Sequence, residues 1–209
     1  MSVRFPDEEF YKLKDAMLIY EWGHKILLTK LNIIYEDFRN FQNNNPIENI
    51  RSRIKAPESI AQKLWDEKHE LTAENAKKYV RDIAGVRIIC TFAKDIYTLA
   101  EILRSMPEAK VLSEKDYVSN PKVSGYRGFH FSIEIPVYHS GTVEHIPVEV
   151  QLRTAAMDFW ATLEHKVKYK YKEHIPKNLS DELVICADKI AELDDRMFTI
   201  HNIISLLNQ

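Results

Sequence analysis

Two carboxylates and a set of cations in the middle of the chain have the types and spacing that phosphate chemistry needs. Asp82 stands in Arg81-Asp82-Ile83-Ala84-Gly85-Val86-Arg87-Ile88, just ahead of a short apolar run. A carboxylate at the mouth of a buried strand can hold Mg²⁺, because hard cations take oxygen ligands. Arg87 falls inside that apolar run, and a cation there requires an ion pair or an anionic ligand. The second carboxylate is in Glu149-Val150-Gln151-Leu152-Arg153-Thr154. Alternation along a strand puts Val148, Val150 and Leu152 on one face and Glu149, Gln151 and Arg153 on the other. The polar face then either lines a cleft, where Glu149 converges with Asp82 on one metal ion, or is an exposed outer face. Arg51, Arg53, Lys55 and Lys63 are four cations around a single carboxylate, Glu58, in a segment that runs into a helix start at Pro57. Free backbone N–H groups, a positive dipole end and cationic side chains suit phosphate oxygens; a solvated basic edge fits the same residues. In Lys122-Val123-Ser124-Gly125-Tyr126-Arg127-Gly128-Phe129-His130, two glycines let the backbone present Tyr126. An exposed tyrosine beside cations suits stacking on a base, and a loop with a core tyrosine is the alternative.

The elements that hold these segments are legible from periodicity. Val86–Phe92 is a short β-branched run, as in a buried strand. Phe129–Val137 and Ile146–Leu152 alternate, and Ser140-Gly141 between them predicts a hairpin. Helical spacing marks Ile96–Leu103, Ala155–Tyr171 and a helix from Pro57. A long N-terminal helix carries an apolar stripe from Phe10 to Phe41, broken only by His24. Leu179, Leu183, Cys186, Ile190, Leu193, Met197, Ile200, Ile204 and Leu207 make a comparable stripe at the other end. Its 3.5-residue period is that of a helix–helix seam, within the domain or between subunits. The expected architecture is one mixed sheet covered by helices, with a long helix at each end.

Composition excludes several classes. The chain has 209 residues with 29 Lys+Arg against 31 Asp+Glu, net charge −2, which argues against attachment to nucleic acid by bulk charge. Its five glycines build neither GxGxxG nor GxxxxGK[ST], so the dinucleotide and Walker A loops are missing. No apolar run reaches the ~20 residues of a membrane span, and the N-terminus has no apolar signal segment. Cys90 and Cys186 read as a pair of buried thiols in a reducing cytosol.

Taken together, the four segments resemble the synthetase domain of the RelA/SpoT family, and most closely the single-domain small alarmone synthetases of the RelP/RelQ type. The matching strings are RIKxPESIAxKL at Arg53–Leu64, RDIAGVRI at Arg81–Ile88, KxSGYRxxH at Lys122–His130 and EVQLRTxAMDFWATLEHKxKYK at Glu149–Lys170. The resemblance implies an α/β (α+β) fold, a mixed sheet of about five strands in a nucleotidyltransferase-like synthetase domain. Residues 1–45 would be a helical extension, 46–175 the catalytic core and 176–209 the C-terminal helix. It implies transfer of the β,γ-pyrophosphate of ATP to the 3′-OH of GDP or GTP in the bacterial stringent response, giving ppGpp or pppGpp and AMP. Asp82 and Glu149 would hold Mg²⁺, with Glu149 also helping to deprotonate the 3′-OH. Arg53 and Arg87 would sandwich adenine, and Lys55, Ser59 and Lys63 would bind the ATP phosphates. Tyr126 would stack on guanine, with Lys122, His130 and Gln151 on the acceptor nucleotide. A cytoplasmic homotetramer is implied, with synthesis and no hydrolysis, since the chain has no His-Asp dipeptide.

Departures from the family pattern are informative. Ala56 replaces the serine that often follows RIK, removing one possible phosphate contact. Asp158 stands where RelQ-type relatives tend to have asparagine near an allosteric (p)ppGpp site. An added carboxylate there would disfavour a phosphorylated effector, which points to the RelP type. Two other readings share the residues. A non-catalytic nucleotide or RNA binder could use Lys166, Lys168, Lys170, Lys172, Tyr169 and Tyr171 on single-stranded RNA. Another nucleotidyltransferase of this fold would release pyrophosphate in place of AMP.

Overall fold

Val148, Val150 and Leu152 are wholly buried, while Glu149, Gln151 and Arg153 turn to the opposite face. They belong to β5 (Thr142–Thr154), the middle strand of a five-stranded sheet. The computed structural model describes residues 3–42, 45–171 and 175–207. Across the sheet the order is β1 (Ile47–Ile54), β2 (Ala84–Cys90), β5, β4 (Phe129–His139) and β3 (Lys110–Asp116). β2 and β5 run parallel, and the other neighbours are antiparallel. The expected hairpin is β4–β5. Its Ser140-Gly141 turn has φ +47° and +80°, the paired positive values of a turn whose twist matches the strands it joins.

Helices cover the sheet. α1 (Asp7–Phe41) buries Leu13, Leu27 and Leu31 against it, and each such leucine contributes about 2 kcal/mol through burial. His24 is buried with them, and burial pushes its imidazole below the ordinary range, so it packs there uncharged. α2 (Pro57–Asp66) and α3 (Ala73–Tyr79) follow β1, and α4 (Ala93–Ser105) follows β2. α5 (Ala155–Lys170) continues directly from β5, and α6 (Lys177–Leu207) folds back on it. The buried residues form one main core and a second small one, in which Trp160 and Ala161 of α5 and Ala187 of α6 enclose Tyr126.

Three findings depart from the sequence reading. β1 and β3 are edge strands facing water on much of their length, so they have no apolar alternation to betray them. α3 is seven residues long, started by the Thr72 hydroxyl accepting from the Asn75 N–H at 3.1 Å. Cys90 is buried as expected, but Cys186 is exposed on α6. No helix among the described residues is long and apolar enough to cross a membrane. Lys172 and the Tyr169 side chain of the basic–aromatic stretch lie outside the described residues. Lys168 of that stretch pairs with Glu164 at 2.7 Å.

Candidate active site

Strand register assembles a polar surface from four separate segments. In one row, Arg51 of β1 pairs with Arg87 of β2, Arg87 with Gln151 of β5, and Gln151 with His130 of β4. In the next, Arg53 pairs with Gly85, Gly85 with Glu149, and Glu149 with Ser132. Paired residues project to the same side of a sheet, so these side chains share one face. Gly85 leaves the middle of the second row without a side chain, and an open cleft lies there. Arg53, Asp82, Arg87, Glu149 and Gln151 line it.

α2 brings the cations to this cleft. Ala56 is its N-cap and offers no side-chain cap. The serine missing at this position therefore costs a capping hydroxyl, which is where serine is favoured. Pro57 begins the helix, and Ser59 stands exposed in its first turn. Lys55 precedes the helix and Lys63 lies one turn past Ser59; both bind the Asp82 carboxylate, Lys63 at 2.9 Å. Burial pushes Asp82 upward, but the two lysines outweigh it and hold the carboxyl below its ordinary range. Glu149 behaves alike: burial raises it, and the His130 imidazole and Gln151 amide bring it lower on balance. Both groups are ionised at neutral pH.

On the other side of Glu149 the side chains close a ring. The Gln151 amide donates to Glu149 at 2.8 Å, and Arg153 donates to Gln151 at 2.8 Å. Arg153 Nε donates to the Tyr126 hydroxyl at 3.1 Å, and that hydroxyl meets His130 Nε2 at 2.5 Å. His130 Nδ1 then stands 3.6 Å from Glu149. Asp158, at the start of α5, anchors the ring from behind through Arg153 at 3.1 Å. It also accepts from Arg87 at 3.0 Å and lies 3.4 Å from Arg51. A buried carboxylate shared by three guanidinium groups explains how Arg87 is tolerated in its strand.

The described residues contain no cluster of three or more His, Cys, Asp or Glu able to hold a metal. Two ionised carboxylates on one cleft nevertheless fit magnesium, which keeps several waters and shares its coordination with substrate phosphates.

Comparison with known proteins follows the same segments. The region found in RelA/SpoT proteins matches residues 52–174. The chain belongs to the RelA/SpoT family. It is 42% identical to GTP pyrophosphokinase YwaC of Bacillus subtilis over 90% of this chain and 89% of that one. It is 34% identical to GTP pyrophosphokinase YjbM of the same organism over 90% and 80%. Among solved structures it resembles B. subtilis small alarmone synthetase 1 bound to its product pppGpp, with TM-score 0.84 and 31% identity over 91% and 97% of the two chains. Small alarmone synthetase 2 from that organism gives TM-score 0.81 and 40% identity over 90% and 97%.

Within this RelA/SpoT-family chain, one open alternative is resolved and one expectation is corrected. Tyr126 is not an exposed tyrosine: only 7% of it is accessible. Its ring has the Arg153 guanidinium 5.0 Å from its centroid and the Lys122 ammonium 5.1 Å from it. Burial also raises its hydroxyl above the ordinary range, so it stays protonated. Asp158 is not a free carboxylate set to repel phosphate, because Arg51, Arg87 and Arg153 surround it. The group as a whole is cationic. Sequence reading missed Asp158 as the hub, while Arg153, read from the sequence as structural, bonds Tyr126, Gln151 and Asp158. The only signal was the surplus of arginine on one face, since Asp158 lies 107 and 71 residues from Arg51 and Arg87. Asp82, Arg53, Arg87, Glu149 and Gln151 meet at the cleft, and Lys55 and Lys63 reach it through Asp82. His130 joins through Glu149, whereas Lys122 and Ser59 are exposed on its flanks.

Proposed function

We propose that the protein is a (p)ppGpp synthetase that transfers the β,γ-pyrophosphate of ATP to the 3′-OH of GDP or GTP. The observation that carries the reading is the meeting of Asp82 and Glu149 on one cleft, with Lys55 and Lys63 already on Asp82. The 3′ oxygen of the acceptor attacks the β-phosphorus of ATP. The bond from the β-phosphorus to the α-bridging oxygen breaks, and AMP leaves. The proton lost from the 3′-OH goes to Glu149, ionised and within the cleft.

The remaining roles are those the family resemblance implies, and position supports them. Arg53 and Arg87, on adjacent strands, flank the adenine of ATP as flat guanidinium planes. Lys55 and Ser59 take the phosphates at the start of α2, and Lys63 reaches them from its last turn, beside Asp82. Transfer of the two lysines from Asp82 to phosphate frees that carboxylate. Magnesium held by Asp82 and Glu149 would neutralise charge on the phosphates. Lys122, His130 and Gln151 receive the acceptor, and guanine stacks on Tyr126 after Lys122 leaves its ring. Most of the catalysis is positioning and electrostatics.

The protein also assembles as a homo-oligomer, for which a tetramer is the expected form. Leu193, Met197, Ile200, Ile204 and Leu207 of α6 keep the seam period and are each at least half exposed, an apolar stripe that a monomer would leave in water. Light scattering behind gel filtration reads the subunit number.

The deciding experiment incubates the protein with Mg²⁺, ATP and GDP or GTP, and resolves nucleotides by anion exchange. AMP with ppGpp or pppGpp, lost in Glu149→Gln, is the expected result. Pyrophosphate in place of AMP would reveal nucleotidyl transfer, and no product despite nucleotide binding would reveal a sensor.

A further inference from the structure

We propose that α6 positions the acceptor subsite, with Ala187 and Asp188 setting affinity for the guanosine nucleotide through the loop that carries Tyr126. The inference rests on the acceptor role of Tyr126 given above. α6 begins beyond the matched region 52–174, which ends before Lys177, and no role had been assigned to its inner face.

The loop runs from β3 to β4 and is tied mainly to itself. Tyr117 N–H donates to Gly128 at 3.0 Å, Lys122 N–H to Tyr126 at 3.1 Å, and Gly125 N–H to Lys122 at 2.8 Å. Its underside rests on α6. Gly125 has φ +88°, and a Cβ there would lie 2.8 Å from Ala187 Cβ and 3.3 Å from the Val184 Cα. Loop backbone and helix thus pack closely, with only the Ala187 methyl group between them on that side. Arg127 fastens the same junction, donating to the Val118 carbonyl at 3.0 Å and reaching Asp188 at 3.4 Å. Trp160 joins α5 to α6 by donating to the Leu183 carbonyl at 2.8 Å. Thr154, next to Arg153, donates to Asp194 at 2.5 Å. The helix therefore touches both ends of the Tyr126–Arg153 pair.

A closely packed contact of this kind transmits displacement in place of absorbing it. Tyr126 adjoins Gly125 in the chain, and Lys122 is hydrogen-bonded to both residues through the backbone. A shift of the loop by a fraction of an ångström reaches them undiminished. The donor cations belong to β1, α2 and β2, which pack chiefly on α1, α3 and β5. Perturbing Ala187 therefore acts first on the acceptor and reaches the ATP side more weakly, by way of Asp158 on α5.

Calorimetric titrations with GDP and with a nonhydrolysable ATP analogue test this, on the full chain. Ala187→Leu is expected to weaken GDP binding by about tenfold while the ATP analogue stays within about twofold. Ala187→Ser is expected to restore GDP binding, and Asp188→Asn, at an exposed pair, to weaken it by about twofold. The Michaelis constants in the product assay should divide in the same way. Unchanged GDP affinity in Ala187→Leu, or equal loss of both nucleotides, overturns the inference. If leucine melts the protein, Ala187→Val and Asp188→Asn must show the GDP-selective loss, and its absence from both overturns it. Failure of the synthetase reading looks different: the unaltered protein would bind GDP and the analogue yet release no AMP.

Discussion

On the proposed donor side of the cleft, Arg51 and Arg53 stand exposed on an edge strand, Lys55 just precedes α2 and Lys63 extends from its last turn. On the acceptor side, Tyr126 is buried in a small core of its own, with a cation against its ring from Arg153 and another from Lys122. The proposed donor side is open and, in the proposed mechanism, needs only an exchange of partners, from the Asp82 carboxylate to phosphate. The proposed acceptor side is closed, and in the proposed mechanism it has to move before a base can reach the tyrosine. Glu149 belongs to both, since it lines the donor cleft and also closes the ring that ends at Tyr126. Asp158 ties the two sides together by holding Arg87 with one oxygen and Arg153 with the same one.

The largest effect should come from the residue that the two sides share. Glu149→Gln is expected to lower turnover by about 10²–10⁴-fold, with the circular dichroism spectrum retained. Asp82→Asn should do likewise. Near-normal turnover in either would remove the carboxylates from the chemistry. Next comes the link between the sides. Asp158→Ala leaves three guanidinium groups facing one another, two of them at least half-buried, and should cost about 3 kcal/mol in urea unfolding. Asp158→Asn retains an acceptor and should lose less. Equal stability of the alanine variant would mean that the arginines are independent and the two sides uncoupled.

The contrast itself is tested by a pair of lysines. Lys63→Gln should raise the Michaelis constant for ATP by about tenfold and leave that for GDP nearly unchanged. Lys122→Ala should do the reverse, by a smaller factor because that lysine is exposed. If both variants affect both nucleotides equally, the division into two sides is wrong. The smallest effect is on pH. Asp82 and Glu149 are both held below the ordinary carboxylate range in the fold. Their contribution is complete above that range and is lost as pH falls through the lowered folded values. Urea midpoints should therefore drop from about pH 5 downward, and less steeply in the Asp82→Asn, Glu149→Gln double variant.

Much of this was already legible in the order of the residues. Alternation in Val148–Leu152 identified both the buried and the polar face of β5, because every second side chain of a strand points the same way. Ser140-Gly141 marked the hairpin, and the apolar stripes marked α1 and α6, because those signals are local. The motif strings brought Asp82, Glu149, Arg53 and Arg87 to notice, and these do meet at one cleft.

What needed the folded chain was every relation between segments distant in sequence. β1 and β3 bury too little to show a pattern, and only pairing with β2 and β4 makes them strands. Whether Tyr126 faced solvent or core was open until α5 and α6 closed over it. Asp158 looked like a free carboxylate because its charge is decided by arginines from β1, β2 and β5, which register alone brings together. Composition and periodicity report how a residue relates to its neighbours along the chain. Burial, ion pairing and the resulting shifts in ionisation depend on neighbours through space, and so they followed only from the packing.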